Sequence, residues 1–581
     1  MLTKKKRIKS KNNIAITQAW TLEDSQKPLT KFKIFLKYLK LYCQYSSISS
    51  FKYLVDSKKT WIERILWVII HCVTICTLIF MVCISYTEYK ESPILTSIDS
   101  DSHRTTDLDF PGIAICTINR ISRQSATELA NDILNANVTD MPVEEVLTLI
   151  MQLGNHYASE FSMDEDRNVE IDRLLTEYYK GPYDITETMK KLSPQCSTIL
   201  LKCRLHGTDR NCSALFYFRK TQDGFCCTFN YAAESDDIPV DNPDSDKETE
   251  HFDVHKVMDL GIHRGLTVVL EPHLDDYFYP ILPVKGWKVV VFNPHDYPDV
   301  TSGGVTEVIV MPRTETYVDV TATTFFSTDV IQSFPIHERS CIFANEMDIM
   351  KTDKYTYSDC IVNCKIQDIQ TICGCRPFVY PRRTKKDNSW RICTNLDLDC
   401  LSKYKPKWWT VFPYDSNEEF LKNQDWALHC HNCYPACDDI TYDVLSSKSY
   451  MIPGNYKTDL LWDFNVTNQG ILHVYFSKYG SIRLKQDVSS YWYELLSDIG
   501  GICGVFIGFS LISVVELLYF LALALRDLLR KESTVQESED HEEEIQQIQS
   551  QTIRTIYWSE LLPRSWQSVK YGQFPNNKTR Y

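Results

Sequence analysis

Two stretches of the chain are apolar for longer than a soluble element needs. From Ile62 to Ser85 the only charges, Glu63 and Arg64, stand at the start, and Trp61 and Tyr86 bracket the run as interfacial aromatics do. These 24 residues would extend about 36 Å as a helix, enough to cross a hydrocarbon core about 30 Å thick with some tilt. The second run, Ile499 to Leu525, holds one acid, Glu516, among apolar, glycine, serine and tyrosine residues. Both patterns predict membrane-spanning helices.

The contents of the second run point beyond an anchor. In a continuous helix turning about 100° per residue, Ser497, Gly501, Gly504 and Gly508 fall within about 60° of one another, a face almost bare of side chains. Ser510 and Ser513 fall on the opposite side. Asp498 and Glu516 would stand about 27 Å apart, near the two limits of the core. Small residues in this spacing also serve close helix packing. Acids at both ends favour a pore instead, because charge at membrane depth is costly and faces water or an ion path. Several copies of such a helix would draw cations to each mouth, and backbone exposed beside the glycines would replace water around a dehydrating ion.

Between the two runs the pattern is that of a soluble α+β domain. Phe110-Pro-Gly-Ile-Ala-Ile-Cys116 alternates after its proline as a buried strand does, and residues 125–180 set Leu134, Val146, Leu147, Leu149 and Ile150 among acids as helices do. The acidic, turn-rich stretch 233–250 predicts a loop. From Gly265, the β-branched runs Leu266–Leu270, Trp287–Phe292 and Glu307–Met311 predict one compact sheet. Helices are expected over 327–334 and 342–372, then strands over Ile440–Val444 and Ile471–Phe476. Ahead of the first span, residues 31–41 (KFKIFLKYLKL) place Phe32, Ile34, Phe35, Tyr38, Leu39 and Leu41 among lysines. That suits an amphipathic helix at the inner membrane surface, or a solvated basic tail.

Charge sets the orientation. The formal net charge is -14 and the acidity lies in the soluble segments, which excludes a nucleic-acid binder. Lys and Arg crowd Met1–Arg64 and recur at Arg526, Arg530 and Lys531, whereas Lys90 is the only basic residue close outside the first span. Both termini are therefore expected in the cytosol. The expected divisions are a cytosolic segment 1–60, a first span 61–86, an extracellular domain 87–490, a pre-span segment and pore helix 491–525, and a cytosolic tail 526–581. The long basic stretch before the first span argues for an uncleaved anchor rather than a signal peptide. Of the 21 cysteines, 16 fall between Cys116 and Cys437 in the segment expected outside, and Cys43, Cys72, Cys76, Cys83 and Cys503 fall elsewhere. Disulfides outside and free thiols within are what the redox compartments predict. Asn137, Asn211 and Asn465 head possible glycan acceptor triplets in the same segment, while Asn577 lies on the cytosolic side.

Several chemistries compete for particular residues. Cys373-Gly-Cys375 and Cys430-His-Asn-Cys433 have spacings that suit zinc, but outside the cell disulfides are expected and no metal or cofactor is called for. Cys360 and Cys364 lie one helical turn apart, so each can bond a different position on an antiparallel return segment. His251 and His255 suit a metal only if helical. Gly508-Phe-Ser510 lacks the second glycine of a nucleophile elbow, so no enzyme is expected. Extracellular histidines and acids such as Asp164-Glu-Asp166 are possible proton sensors.

Taken in order, Phe110–Cys116, Gly224-Phe-Cys-Cys-Thr-Phe-Asn230, Arg339-Ser-Cys341, Cys360-x3-Cys364-x8-Cys373-Gly-Cys375-x-Pro377, Cys433-Tyr-Pro-Ala-Cys437 and Leu496-Ser-Asp-Ile-Gly-Gly-x-x-Gly-x-Phe-x-Gly-x-Ser510 resemble the degenerin/epithelial sodium channel family, over about residues 31–526. The doubled cysteine before Thr228 and the Gly-Phe-Ser form resemble its insect pickpocket branch. The resemblance implies an α+β membrane protein with two transmembrane helices and a large disulfide-rich extracellular domain of palm, β-ball, finger, thumb and knuckle. It implies a homo- or heterotrimeric channel for sodium ions, blocked by amiloride and chemosensory, mechanosensory or epithelial in role.

The same resemblance implies pairs Cys341–Cys437, Cys360–Cys433, Cys364–Cys430, Cys373–Cys400, Cys375–Cys393, Cys116–Cys226 and Cys203–Cys212, with Cys196–Cys227 left over. It makes Gly508, Phe509 and Ser510 the selectivity filter and Ser497 a gating position where bulk holds the channel open. Asp498 would lie at the outer mouth and Glu516 toward the inner vestibule. Ser49-Ser50 stand where the family carries His-Gly, a departure that leaves room for altered gating or an accessory, non-conducting subunit. Phe509 replaces a small residue common in vertebrate relatives, and Thr117 stands where Asn is common. A membrane-tethered receptor or adhesion ectodomain is the competing class; it leaves Asp498 and Glu516 unexplained.

Overall fold

The computed structural model describes residues 31–48, 51–56, 59–157, 165–233, 254–346, 355–382, 390–412, 426–456, 458, 460–462 and 464–537. Ser49, Ser50, Asp164, His251 and Asn577 lie outside the described residues. The chain divides into two compact units, one from the described parts of Met1–Glu88 and Trp492–Tyr581, the other from Tyr89–Tyr491.

The first unit is helical. Lys31–Tyr45 and the short Phe51–Val55 precede Trp61–Glu91, a helix of 31 residues that is long and apolar enough to cross a membrane. Trp492–Ile507 and Leu511–Glu537 follow the other unit, and only taken as a pair do they meet the same standard.

The second unit is built on two sheets. The longest strand, Thr314–Ser327, pairs from Thr314 to Phe326 with Asp438–Tyr450. Its other edge is shared by two parallel partners, Gly470–Phe476 against its first half and Gly480–Val488 against its second. Ile94–Arg104 closes one end of this eight-stranded sheet, and Leu266–Leu270, Leu200–Leu205 and Thr208–Arg210 extend the other. The second sheet runs Thr306–Val310, Trp287–Phe292, Gly112–Thr117, Gly224–Phe229, Phe216–Thr221. One apolar core joins the two sheets, with Ile113, Val289 and Phe229 from one and Val268, Val320 and Val474 from the other.

The strands are where the β-branched runs predict them, but not as one sheet: Leu266–Leu270 belongs to the larger sheet, Trp287–Phe292 and Thr306–Val310 to the smaller. All five residues of Leu266–Leu270 are buried, so the run carries no face preference that would name its partner.

Helices Arg123–Asn135, Val143–Met151, Glu165–Tyr178 and Ile185–Leu192 pack their apolar faces into a separate core. Side chains cap two of them, Ser122 accepting from the Ser125 amide and Asp184 from the Thr186 amide. The helix expected over 342–372 is shorter than its pattern. It starts at Tyr357, where Thr356 accepts from the Asp359 amide, and ends at Cys373, where Gly374 turns left-handed at φ +69°. The stretch expected to be helical over 327–334 is a 3-10 turn, Asp329–Ser333.

Eight disulfides join Cys116–Cys226, Cys196–Cys227, Cys203–Cys212, Cys341–Cys437, Cys360–Cys433, Cys364–Cys430, Cys373–Cys400 and Cys375–Cys393. The last five are nested, and three of them, from Cys360, Cys364 and Cys373, tie the Tyr357–Cys373 helix to its return segment. The free thiols are Cys43, Cys72, Cys76, Cys83 and Cys503. Cys375, Cys393 and Asp397 converge closely, but both sulfurs are bonded to each other and offer no thiolate to a metal.

Candidate ion pathway

The second apolar run is not one continuous helix. Trp492–Ile507 stops at Gly508, whose φ of +73° is left-handed, and its amide donates to the Gly504 carbonyl at 2.9 Å. That is the αL helix ending, for which glycine carries no Cβ penalty. A new helix begins immediately. Ser510 Oγ accepts from the Ser513 amide at 3.4 Å, while Ser513 Oγ accepts from the Ser510 amide at 3.2 Å. This is a reciprocal N-cap with serine in the place usually held by Glu or Gln. The axes on either side of Gly508-Phe509-Ser510 differ by 77°.

Two expectations fall with the continuous helix. Glu516 lies on a different axis from Asp498, so the separation of about 27 Å drawn along one rod does not apply. Nor does Gly508 extend the bare face of Ser497, Gly501 and Gly504, because it is the point where the helix stops. Above the break, Ser497, Asp498, Gly501 and Gly504 are all exposed. A Cβ placed on Gly500 or Gly501 would meet no atom of this chain within 4 Å, and one on Gly504 only the Phe509 carbonyl at 3.9 Å. Among the described residues of the chain itself, nothing packs into the glycine strip.

Below the break the N-terminal segment is docked. Ser47 donates its amide to Glu516 Oε2 at 2.8 Å and shares a 2.8 Å hydroxyl contact with Ser513, which is fully buried. Ser513 in turn bonds Ser510, so two hydrogen bonds in series connect the segment before the first apolar helix to the break. The same segment reaches the first apolar helix through rings: Tyr53 stacks on Trp67 at 4.7 Å and Phe51 on His71 at 5.6 Å. His71 donates from Nδ1 to the Trp67 carbonyl, 2.7 Å away. Glu516, expected toward the inner vestibule, thus accepts a bond from the backbone of the segment ahead of the first apolar helix. Ser47, Phe51 and His71 gave no sequence signal; the Ser-x-x-Ser spacing of Ser510 and Ser513 did.

The second unit carries its own buried polar joints. Lys365 on the Tyr357–Cys373 helix is almost wholly buried and reaches both oxygens of Asp299, at 2.9 and 2.7 Å, and also Thr301. Burial pushes the Lys365 ammonium down and Asp299 pulls it back up. His473 bridges Thr267 and Glu315, each at 2.9 Å, with Tyr317 stacked on its ring. The bond from His473 holds the Glu315 carboxyl below its ordinary range. His156 contacts Asn395 at 2.9 Å, and burial lowers its pKa to about 4. Asn137 and Asn211 sit on the second unit, Asn211 with its carbonyl oxygen capping the Ser213 amide, and Asn465 pairs in a short strand with Asn455.

A family model described as "Amiloride-sensitive sodium channel" matches residues 42–520, which takes in the first apolar run, the whole second unit and most of the second apolar run. The chain belongs to the amiloride-sensitive sodium channel family. Among its relatives, "Sodium channel protein Nach" of Drosophila melanogaster is 25% identical over 493 residues, covering 84% of this chain and 87% of that protein. "Pickpocket protein 28" of the same fly is 24% identical, covering 83% and 78%. "Bile acid-sensitive ion channel" of Mus musculus is 22% identical, covering 79% and 82%. Membership of this plasma-membrane sodium channel family makes the chain a channel-type subunit and removes the enzyme reading of Gly508-Phe-Ser510.

Proposed function

We propose that this chain is a subunit of a gated, amiloride-sensitive, sodium-permeable cation channel with two spans and both termini in the cytosol. Trp61–Glu91 is the first span, and the bent pair Trp492–Ile507 with Leu511–Asp527 is one broken second span. The observation that carries the reading is the break itself. Irregular backbone at membrane depth is tolerated where it is buried in protein or lines a watery cavity, and helix ends there present carbonyls to ions. Gly508, Phe509 and Ser510 supply that backbone, with the exposed Asp498 on the helix above them.

The remaining assignments follow from it. The strip of Ser497, Gly501 and Gly504 that nothing in the chain covers faces the axis of a homo- or heterotrimer, where small side chains leave a narrow aqueous path. The eight-stranded sheet serves as palm, the five-stranded sheet as β-ball, the helices over 123–192 as finger, and the cross-linked helices Tyr357–Cys373 and Leu398–Trp409 as thumb. Asn137, Asn211 and Asn465 are glycan acceptors on this extracellular part. Its role is chemosensory, mechanosensory or epithelial.

The test is Ser497→Trp, expressed alone and with related subunits in a cell without such currents. A constitutive sodium current that amiloride abolishes supports the reading. Silence of both combinations, with the protein present at the surface, overturns it and leaves the non-conducting or receptor roles.

A further inference from the structure

The surface of the Lys31–Tyr45 helix divides into three faces. Tyr38 and Tyr42 meet the second half-helix, the Tyr38 hydroxyl bonding Asp527 and the Tyr42 ring meeting Phe520 edge-on at 5.7 Å. Burial and Asp527 push the Tyr38 hydroxyl up to about 12. At about 100° per residue, Phe35, Leu39 and Leu36 come next around the helix, within about 120° of Tyr42. They are 50%, 45% and 45% exposed. Lys40, Lys33 and Lys37 follow over about the next 100°; Lys37 and Lys40 are exposed, and the helix contains no acid.

The docked face sets the depth of the other two. Arg526 and Asp527 are the first charges after the apolar run, so they mark its exit from the hydrocarbon. Tyr38 stands beside Asp527, whereas Ser47 stands beside Glu516, eleven positions deeper along that helix. The segment therefore enters at the headgroup level, where Phe35, Leu36 and Leu39 with their neighbouring lysines are held, and climbs from there.

We propose that this free face is a docking surface for the anionic inner leaflet, with Phe35, Leu36 and Leu39 in the headgroup–acyl boundary and Lys37 and Lys40 on acidic headgroups. An apolar strip beside an all-cationic strip is the composition that binds such an interface, and each lysine near it strengthens binding about fivefold. The contact supplies the pre-span bridge with a foothold outside the protein, so that lipid charge bears on the serine chain leading to the break. This inference rests on the proposed two-span reading with a cytosolic N-terminus.

The experiment is hydrogen exchange on the full-length protein in nanodiscs of phosphatidylcholine alone or with phosphatidylserine. Amides of residues 35–45 exchange about fivefold or more slowly with the anionic lipid, while those of Leu511–Asp527 do not change. Lys37→Glu with Lys40→Glu removes the lipid-dependent difference, and Leu36→Gln with Leu39→Gln speeds exchange in both lipids. Equal exchange in the two lipids, or a difference that survives the lysine reversals, overturns the inference. So does disulfide cross-linking of Leu36→Cys between copies, which would show that a second copy covers the face. If Val505–Leu525 itself exchanges as a water-exposed segment, it is the two-span reading that has failed.

Discussion

Replacing Gly508 by alanine isolates what the break needs. The residue sits at φ +73°, a region that costs an L-residue with a Cβ roughly 1–2 kcal/mol. A Cβ there would meet no atom within 4 Å, so collision adds nothing and the whole effect is conformational. That energy lowers the population of the bent form about 5–30-fold. Sodium current per surface-expressed channel should fall by the same order, measured with related subunits and against potassium as the only competing ion. Gly508→Asn, which tolerates this conformation better, should fall between alanine and the native residue. Gly500→Ala is the control: the site is helical and open and lies off the strip of Ser497, Gly501 and Gly504, and alanine there strengthens the helix by about 1 kcal/mol without touching the break. Native current from Gly508→Ala, or equal losses at positions 500 and 508, would refute the reasoning and indicate that the glycines serve contact with neighbouring copies.

Other consequences are as specific. Glu516→Gln keeps an acceptor for the Ser47 amide and removes the charge, so conductance should stay near native, whereas Glu516→Ala should disturb gating; a large conductance loss from the glutamine would return Glu516 to the ion path. Ser513→Ala removes both the partner of Ser47 and half of the Ser510 cap, and should cost about 1 kcal/mol more than Ser47→Ala in the exchange protection of residues 511–515. Lys365→Met strands the buried Asp299 carboxylate and should destabilise the second unit by about 3–5 kcal/mol in urea unfolding of the full-length protein, with much of the loss recovered when Asp299→Asn is added. His156, its pKa lowered to about 4 from 6.5 by burial, favours its neutral form in the fold. Its contribution is therefore full above pH about 6.5 and is lost as pH falls toward about 4, up to about 3 kcal/mol, which exchange of the Gln152–His156 and Asn395–Asp397 segments should report and His156→Gln should flatten.

How much of this was legible in the sequence depends on how local its cause is. The long apolar helix Trp61–Glu91 reads directly, because a run from Ile62 to Ser85 has charges only at its start. So do the strands, since Trp287–Phe292 and Ile471–Phe476 are β-branched and bounded by turn residues. The grouping of strands into sheets is not local: Leu266–Leu270 is buried on both faces and carries no alternation to reveal its neighbours. The break was written plainly in Gly508 and the Ser510–Ser513 spacing, yet hydropathy treats glycine and serine as tolerable within a span, and a periodic reading runs the helix straight through. The Ser47–Glu516 tether joins residues 469 positions apart through a backbone amide, which has no side-chain signature at all. Lys365 and Asp299 were hidden for a related reason, because each alone looks like an ordinary surface charge.

The central claim is that the exposed strip above the break is wetted by the ions the channel passes. Gly504→Cys, in a Cys503→Ser background because Cys503 is a free thiol, tests it in the assembled channel with a small, positively charged, water-soluble thiol reagent. The account predicts rapid modification that irreversibly blocks the sodium current and is slowed by amiloride. Current that persists unchanged, with mass spectrometry showing position 504 unmodified in both resting and stimulated channels, would contradict it.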